Sequence, residues 1–232
     1  RFLIAPPWDE TEYDGERLVI DPGRAFGTGT HESTRLCLGA LEALAERRPL
    51  GRVIDIGTGS GILAVAAHRL GASLVVATDV DTEALTSART HAGLNVVRLH
   101  LVRADGPRPF RPASFDLVLA NQMLPWAPEP QPVFEEVSRV LKKGGVFAFA
   151  TLGPDSLRQI EQAWASIDDR AHVNRFPDMH DIGDGLVRAG LADPVLDVDR
   201  LSVSYDSADK LFADLTLAGA RNALAGRSRG LL

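Results

Sequence analysis

The chain has 232 residues, 45% of them hydrophobic and 24% charged, as expected of a globular protein with one well-buried core. A formal charge of −6 argues against general phosphate-driven nucleic-acid binding. No apolar run is long enough to cross a bilayer, no basic-then-apolar signal segment opens the chain, and the single cysteine, Cys37, has no internal disulfide partner, so a cytoplasmic location is expected.

In chain order, "RFLIAPPWDE" and "ERLVIDPG" read as short extended pieces punctuated by prolines. "HESTRLCLGALEALAERR" sets Leu38, Leu41 and Ala45 on one helical stripe, which Pro49 ends. An alternation follows. "RVIDIG" predicts a buried strand, "GILAVAAHRLG" a helix, "LVVATDV" a strand and "DTEALTSARTHAGL" a helix. "VVRLHLVRAD" and "FDLVLAN" predict strands, "PVFEEVSRVLKKGG" a helix and "VFAFAT" a strand. Apolar strands alternating with helices imply an α/β fold, a mostly parallel sheet with helices on both faces. Beyond Thr151 the rhythm changes: "DSLRQIEQAWASIDD" and "MHDIGDGLVRAG" predict helices, "PVLDVDRLSVSY" a long strand, "SADKLFADLTLAGA" a helix, and "RNALAGRSRGLL" a loop. This half elaborates one edge of the sheet within a single domain spanning residues 1–232.

Two loops carry Gly-Thr-Gly, "AFGTGTHEST" from Ala25 and "DIGTGSGILA" from Asp55. Glycines allow positive φ and close approach of the backbone to a ligand. The second loop follows an apolar strand and opens a helix, where ligands of open α/β sheets bind. Asp79 ends the next strand about twenty residues on, where an acid accepts bonds from ribose hydroxyls. Asp105 ends the third strand and Asn121 the fourth. A dinucleotide would want an uncluttered helix N-terminus for its phosphates, whereas three acids suit a ligand with a sulfonium and no phosphate. The same acids also suit helix caps and strand-end turns.

The spacing resembles the S-adenosyl-L-methionine-dependent methyltransferases of the Rossmann-like class I. That resemblance implies a cofactor held by Asp55 near its amino-acid part, Gly57, Thr58 and Gly59 along the loop, Asp79 with Val80 at the ribose, Ala104 with Asp105 at the adenine, and Asn121 alongside. Through residues 1–110, "LVIDPGRAFGTGTHESTRLCLGALE" and "DIGTGSGILAVAA" resemble the PrmA family, which methylates a large-subunit ribosomal protein. On that analogy Phe26 and Thr28 form a wall or lid over the cofactor, while Thr30 also suits a plain helix cap. From about Phe115 to the end, "FDLVLANQMLPWAPEPQPVFEEVSRVLKKGGVFAFATLGPDSLRQ" and "HVNRFPDMHDIGDGLVRAGLADPVLDVDRLSVSYDS" resemble the BioC family, which methylates the free carboxylate of malonyl-acyl-carrier protein in biotin synthesis. The pair of resemblances divides the domain into a lid and first helix (1–50), a cofactor-binding core (51–150) and a substrate-side elaboration (151–232). It also implies that the last strand of the sheet, which in BioC proteins follows a further helix, is missing.

A carboxylate acceptor is already ionised near neutral pH and needs only a clamp, whereas an amine must first lose a proton. In "AHVNRF", His172, Asn174 and Arg175 offer donors close together, and the arginine fork matches a carboxylate. Pairing with Asp168 or Asp178 is the plainer reading of both cations. Trp126 suits either an acceptor pocket or ordinary packing. Arg221, Arg227 and Arg229 suit steering of an acidic carrier protein, or a solvated tail. The expectation is therefore a methyltransferase with Arg175 and His172 at the acceptor, acting on acyl-carrier protein or another protein substrate, with no metal, nucleic acid or membrane involved. N-methylation in the PrmA manner is the alternative, and a cofactor-binding protein without a competent acceptor site is the third reading.

Overall fold

The computed structural model describes residues 2–22 and 32–217. Phe26, Thr28, Thr30 and the three tail arginines lie outside them. Strands β1 (Phe2–Ala5) and β2 (Glu16–Val19) pair in parallel as a small sheet of their own. Helix α1 (Glu32–Arg47) leads into the main alternation: β3 (Arg52–Ile56), α2 (Ile62–Arg69), β4 (Leu74–Asp79), α3 (Thr82–Leu94) and β5 (His100–Arg103). After β6 (Phe115–Asn121) come a 3-10 turn at Leu124–Trp126, α4 (Pro130–Val140) and β7 (Leu141–Ala150). Helices α5 (Arg158–Ala165), α6 (Met179–Arg188) and α7 (Ala208–Leu217) follow.

Among the described residues the main sheet has the order β5-β4-β3-β6-β7, with every pair parallel. Alternate residues serve opposite faces. Val53, Val75, Ala77, Leu117 and Leu119 pack with Leu38 and Leu41 of α1 and the apolar face of α2. Ile54, Ile56, Val76, Val118 and Ala120 pack on the other side with Val137 and Val140 of α4. The period of two along each strand thus builds both layers. The chain runs β3, β4, β5 toward one edge, then returns through β6 and β7 toward the other. That reversal makes the carboxyl ends of β3 and β6 the topological switch point, the place where such sheets take ligands.

Four expectations from the sequence are corrected. The helix expected through Gly145 ends at Val140, because Leu141 is extended and pairs with Phe115 across the sheet. Lys142 then reaches Asp116 at 2.8 Å, and Gly144 turns the chain at φ 76°. The strand expected from Val96 begins only at His100, because Val96 and Val97 donate to Gly93 and Ala92 and close the end of α3. Helix α5 is shorter than the expected span, starting after a left-handed Leu157 at φ 59°.

The largest departure is "PVLDVDRLSVSY", which is irregular throughout. A strand needs a neighbour to complete its ladder, and among the described residues nothing pairs with this stretch. Only Leu196 reaches a core, against the cluster of Phe134, Ile182 and Leu186, while Val195 is 94% and Val203 72% exposed.

Candidate cofactor and acceptor site

The loop after β3 is shaped from below. Asp55 is 1% exposed, and its carboxylate accepts from the Thr58 hydroxyl at 2.6 Å and from the Ala64 backbone N–H. Burial pushes the Asp55 carboxyl up to about 6; the Thr58 bond draws it back and the charge of Asp79 raises it further. Sealed in this way, Asp55 braces the loop from beneath. Gly57, Gly59 and Gly61 all have positive φ, so the peptide planes between them are free of side-chain restraint and are set by hydrogen bonds. At Gly61 the demand is also steric, because a Cβ would lie 2.8 Å from that of Ala88 in α3.

Asp79, at the end of β4, ties the second strand to this loop. One carboxylate oxygen accepts from the Gly59 N–H and the other from the Asp81 N–H, each at 3.0 Å. Each oxygen keeps a free lone pair, as two ribose hydroxyls require. The Thr58 N–H donates to Thr78 and the Ala104 N–H to the Asp79 carbonyl, so the ends of β3, β4 and β5 are stitched in a row. Val80 is 58% exposed beside them, and Asp105 is exposed one residue past Ala104. At the end of β6, Asn121 donates to the Thr34 hydroxyl at 3.1 Å. Its Oδ1 is buried and has no hydrogen-bond partner among the described residues, an acceptor open to a donor.

The structure thus brings Asp55, Gly57, Thr58, Gly59, Asp79, Val80, Ala104, Asp105 and Asn121 to the carboxyl ends of four adjacent strands. The acceptor candidates fare differently. The His172 ring stacks on Trp164 with centroids 4.1 Å apart, and its Nε2 lies 2.8 Å from Asp168 Oδ1. An N–H of Arg170 and the His172 ring hold the Asp168 carboxyl below its usual range. Arg175 is exposed, and among the described residues no ion pair engages it. Asn174 donates to the Pro125 carbonyl at 3.3 Å, which lays this segment on the turn that follows Asn121 and carries Trp126.

The model for the ribosomal protein L11 methyltransferase (PrmA) family matches residues 1–171. The chain belongs to that family. Its likeness is nevertheless double. A malonyl-[acyl-carrier protein] O-methyltransferase from Laribacter hongkongensis is 40% identical over 196 residues, covering 80% of this chain and 66% of the relative. A ribosomal protein L11 methyltransferase from Geobacter sulfurreducens is 50% identical, over 122 residues that make up 52% of this chain and 39% of the relative. The crystal structure of a ribosomal protein L11 methylase from Lactobacillus delbrueckii subsp. bulgaricus superposes with a TM-score of 0.58 at 35% identity, covering 71% of this chain and 83% of that one. The two resemblances therefore overlap rather than meet near Phe115. The chain spans about two thirds of the length of the malonyl-carrier relatives it matches.

Family and fold together imply S-adenosylmethionine as cofactor, and the residues present fit it. Asp79 has capacity for two hydroxyls, Asn121 has an unused buried acceptor, and residues 55–61 contain no cation to oppose a sulfonium.

Two residues that the sequence reading passed over lie behind the glycine loop, and one of them bonds to it. His91 of α3 and Asn95, which caps its C-terminus, are buried, 3% and 1% exposed, and both bond to backbone outside the helix. Their signal was present: Ala88, His91, Ala92 and Asn95 form one helical stripe, and two polar residues inside an apolar stripe have to be bonding to something.

Proposed function

We propose that the chain transfers a methyl group to a carboxylate, and that this carboxylate is the free end of a malonyl group on an acyl-carrier protein. The malonyl-carrier names of five relatives at 34–40% identity support the acceptor. The observation that carries the reading is the pairing of an anion-binding candidate with the cofactor row. Arg175 is exposed and unpaired among the described residues, on a segment that Asn174 ties to the turn after Asn121.

S-Adenosylmethionine, when bound, supplies an electrophilic methyl on a sulfonium. The chain's own residues bind and orient. Asp79 holds the ribose hydroxyls, and Asp55 with Thr58 keeps the glycine loop in shape. Arg175 takes the two acceptor oxygens in its planar fork. An ionised carboxylate needs no general base, so orientation against the methyl group supplies the catalysis. His172, paired with Asp168 and stacked on Trp164, braces the segment that carries Arg175.

One observation favours a second reading, N-methylation of a ribosomal protein. The PrmA family model matches residues 1–171, and a ribosomal protein L11 methyltransferase is 50% identical over 122 residues. Mass spectrometry separates the two. Malonyl-carrier protein and a ribosomal protein fraction are each incubated with the chain and S-adenosylmethionine. Addition of one methyl to the malonyl carrier, and none to the acetyl carrier, is the expected outcome. Methylation of a ribosomal protein with the malonyl carrier untouched overturns the carboxylate reading.

A further inference from the structure

His91 is a buried histidine with both ring nitrogens committed. Its Nδ1 lies 2.7 Å from the Ser60 carbonyl oxygen, and its Nε2 lies 3.0 Å from the Asp21 backbone nitrogen. A carbonyl can only accept and an amide N–H can only donate. The ring is therefore the neutral tautomer with its hydrogen on Nδ1. One turn along α3, the Asn95 amide meets Val19 with both of its ends. Its Oδ1 accepts from the Val19 N–H at 2.8 Å, and its Nδ2 donates to the Val19 carbonyl at 2.7 Å. Nδ2 donates as well to the His91 carbonyl at 2.8 Å. Asn95 thereby imitates a neighbouring strand beside β2, and His91 extends the tie from Asp21 to the glycine loop.

The position of Ser60 gives this tie its consequence. Gly59 and Gly61 on either side have φ of 53° and 81°, so the backbone there has no steric preference for one peptide orientation. Gly59 is fixed by Asp79, and the Gly61 N–H donates to the Thr58 carbonyl at 2.8 Å. The Ser60 carbonyl is turned toward α3 and held there by His91. A loop already held in its binding shape does not spend affinity on being ordered.

We propose that His91 and Asn95 are positioning residues for the cofactor, locking the Ser60 end of the glycine loop to the backbone of residues 19–21. The proposal rests on the reading that the Gly57–Gly61 loop holds the cofactor. Coupling of this kind is reciprocal: if the tie favours the cofactor, the cofactor tightens the tie by the same factor.

Calorimetric titration of the full chain with S-adenosylhomocysteine tests it, using three substitutions of His91. His91→Asn keeps an amide donor near the Nδ1 position and so the bond to Ser60. His91→Gln reaches the Nε2 position and keeps the acceptor for Asp21. His91→Phe loses both. Each single loss weakens affinity roughly five- to tenfold, the scale of one hydrogen bond. Phe weakens it most, and Asn, which retains the loop contact, weakens it least. Asn95→Ala adds less to His91→Gln than it costs alone, because the two act on one segment. Melting of each free variant is measured alongside. Variants that melt lower yet bind with wild-type affinity mark a purely structural tie and overturn the proposal.

The wild-type chain provides a readout that needs no variant. Hydrogen exchange at the Asp21 amide slows when S-adenosylhomocysteine binds, and an Asp21 amide indifferent to the ligand also overturns the proposal. A wild-type chain that fails to bind S-adenosylhomocysteine brings down the cofactor reading itself, and this proposal with it. Wild-type binding with unaffected variants brings down the proposal alone.

Discussion

A carboxyl group sealed beneath a loop at the end of a central strand favours its neutral form, and Asp55 is in that position. Its folded value of about 6 lies above the ordinary 3.8, so between those values the native chain binds a proton that the unfolded chain releases. Its contribution to stability is therefore greatest below about pH 4, declines as pH rises toward about 6, and is flat above. A shift of that size corresponds to roughly 3 kcal/mol. Asp55→Asn, followed by urea denaturation at several pH values, removes this slope, so the stability of wild type relative to the variant rises on acidification from neutral. A difference that stays constant across the range would mean that Asp55 does not titrate in the fold. Arg175 makes the opposite kind of claim, since it is exposed and the role proposed for it rests on geometry. Arg175→Lys keeps the charge and loses the fork, so methyl transfer at saturating cofactor slows by about 2 kcal/mol in barrier. Affinity for S-adenosylhomocysteine stays as in wild type, and unchanged turnover would remove Arg175 from the acceptor site.

Helix α6 shows how an element is held by the space around two glycines. A Cβ on Gly185 would stand 2.9 Å from the ring of Phe134, which is 0% exposed and packs against Phe147 and Phe149. A Cβ on Gly183 would stand 3.3 Å from the Leu196 methyl, the far end of a flexible side chain. Alanine gains about 1 kcal/mol over glycine in a helix interior, whereas overpacking a filled core costs about 1–3 kcal/mol. Gly185→Ala is thus destabilising and Gly183→Ala neutral or stabilising, by thermal or urea melts. Equal effects at both positions would mean that α6 does not dock on Phe134 as described. Elements with one strong local cause were legible in the sequence. The α1 stripe and the near-continuous apolar runs of β3, β4 and β6 each carry their own pattern. What could not be read was decided by distant chain. Leu141 leaves its helix because Phe115 offers a ladder, and "PVLDVDRLSVSY" stays irregular because none of the described residues beside it does. The acid row at the strand ends was readable because each acid lies at or near the end of a mainly apolar segment. The His91 tie was not, because its partners Asp21 and Ser60 lie far away in sequence.

Across the whole molecule the described ladders divide the chain into a paired sheet and an unpaired stretch from 191 to 205. Amides of β3 and β6 at the centre of the sheet open only with global unfolding, whereas those of 195–204 have no ladder to protect them. Without ligand, exchange is therefore slowest in β3 and β6 and fast through 195–204. S-Adenosylhomocysteine stabilises the native state by mass action, so the β3 and β6 amides gain a uniform increment that rises with ligand concentration. A second and local effect falls where the ligand sits. The N–H groups of Gly59 and Asp81, both bonded to Asp79, and of Ala104, bonded to its carbonyl, slow beyond their local openings in the free protein. The Gln122 amide, bonded to Ala150 at the end of β6, slows with them. Arg52 and Ser73, at the opposite ends of β3 and β4, show no local gain, and 195–204 shows none at all. The carboxyl ends of four parallel strands are thus protected together while their amino ends are not. Local protection at Arg52 and Ser73 instead would place the ligand on the wrong side of the sheet, and the row of acids would then be caps and turns with no ligand to hold.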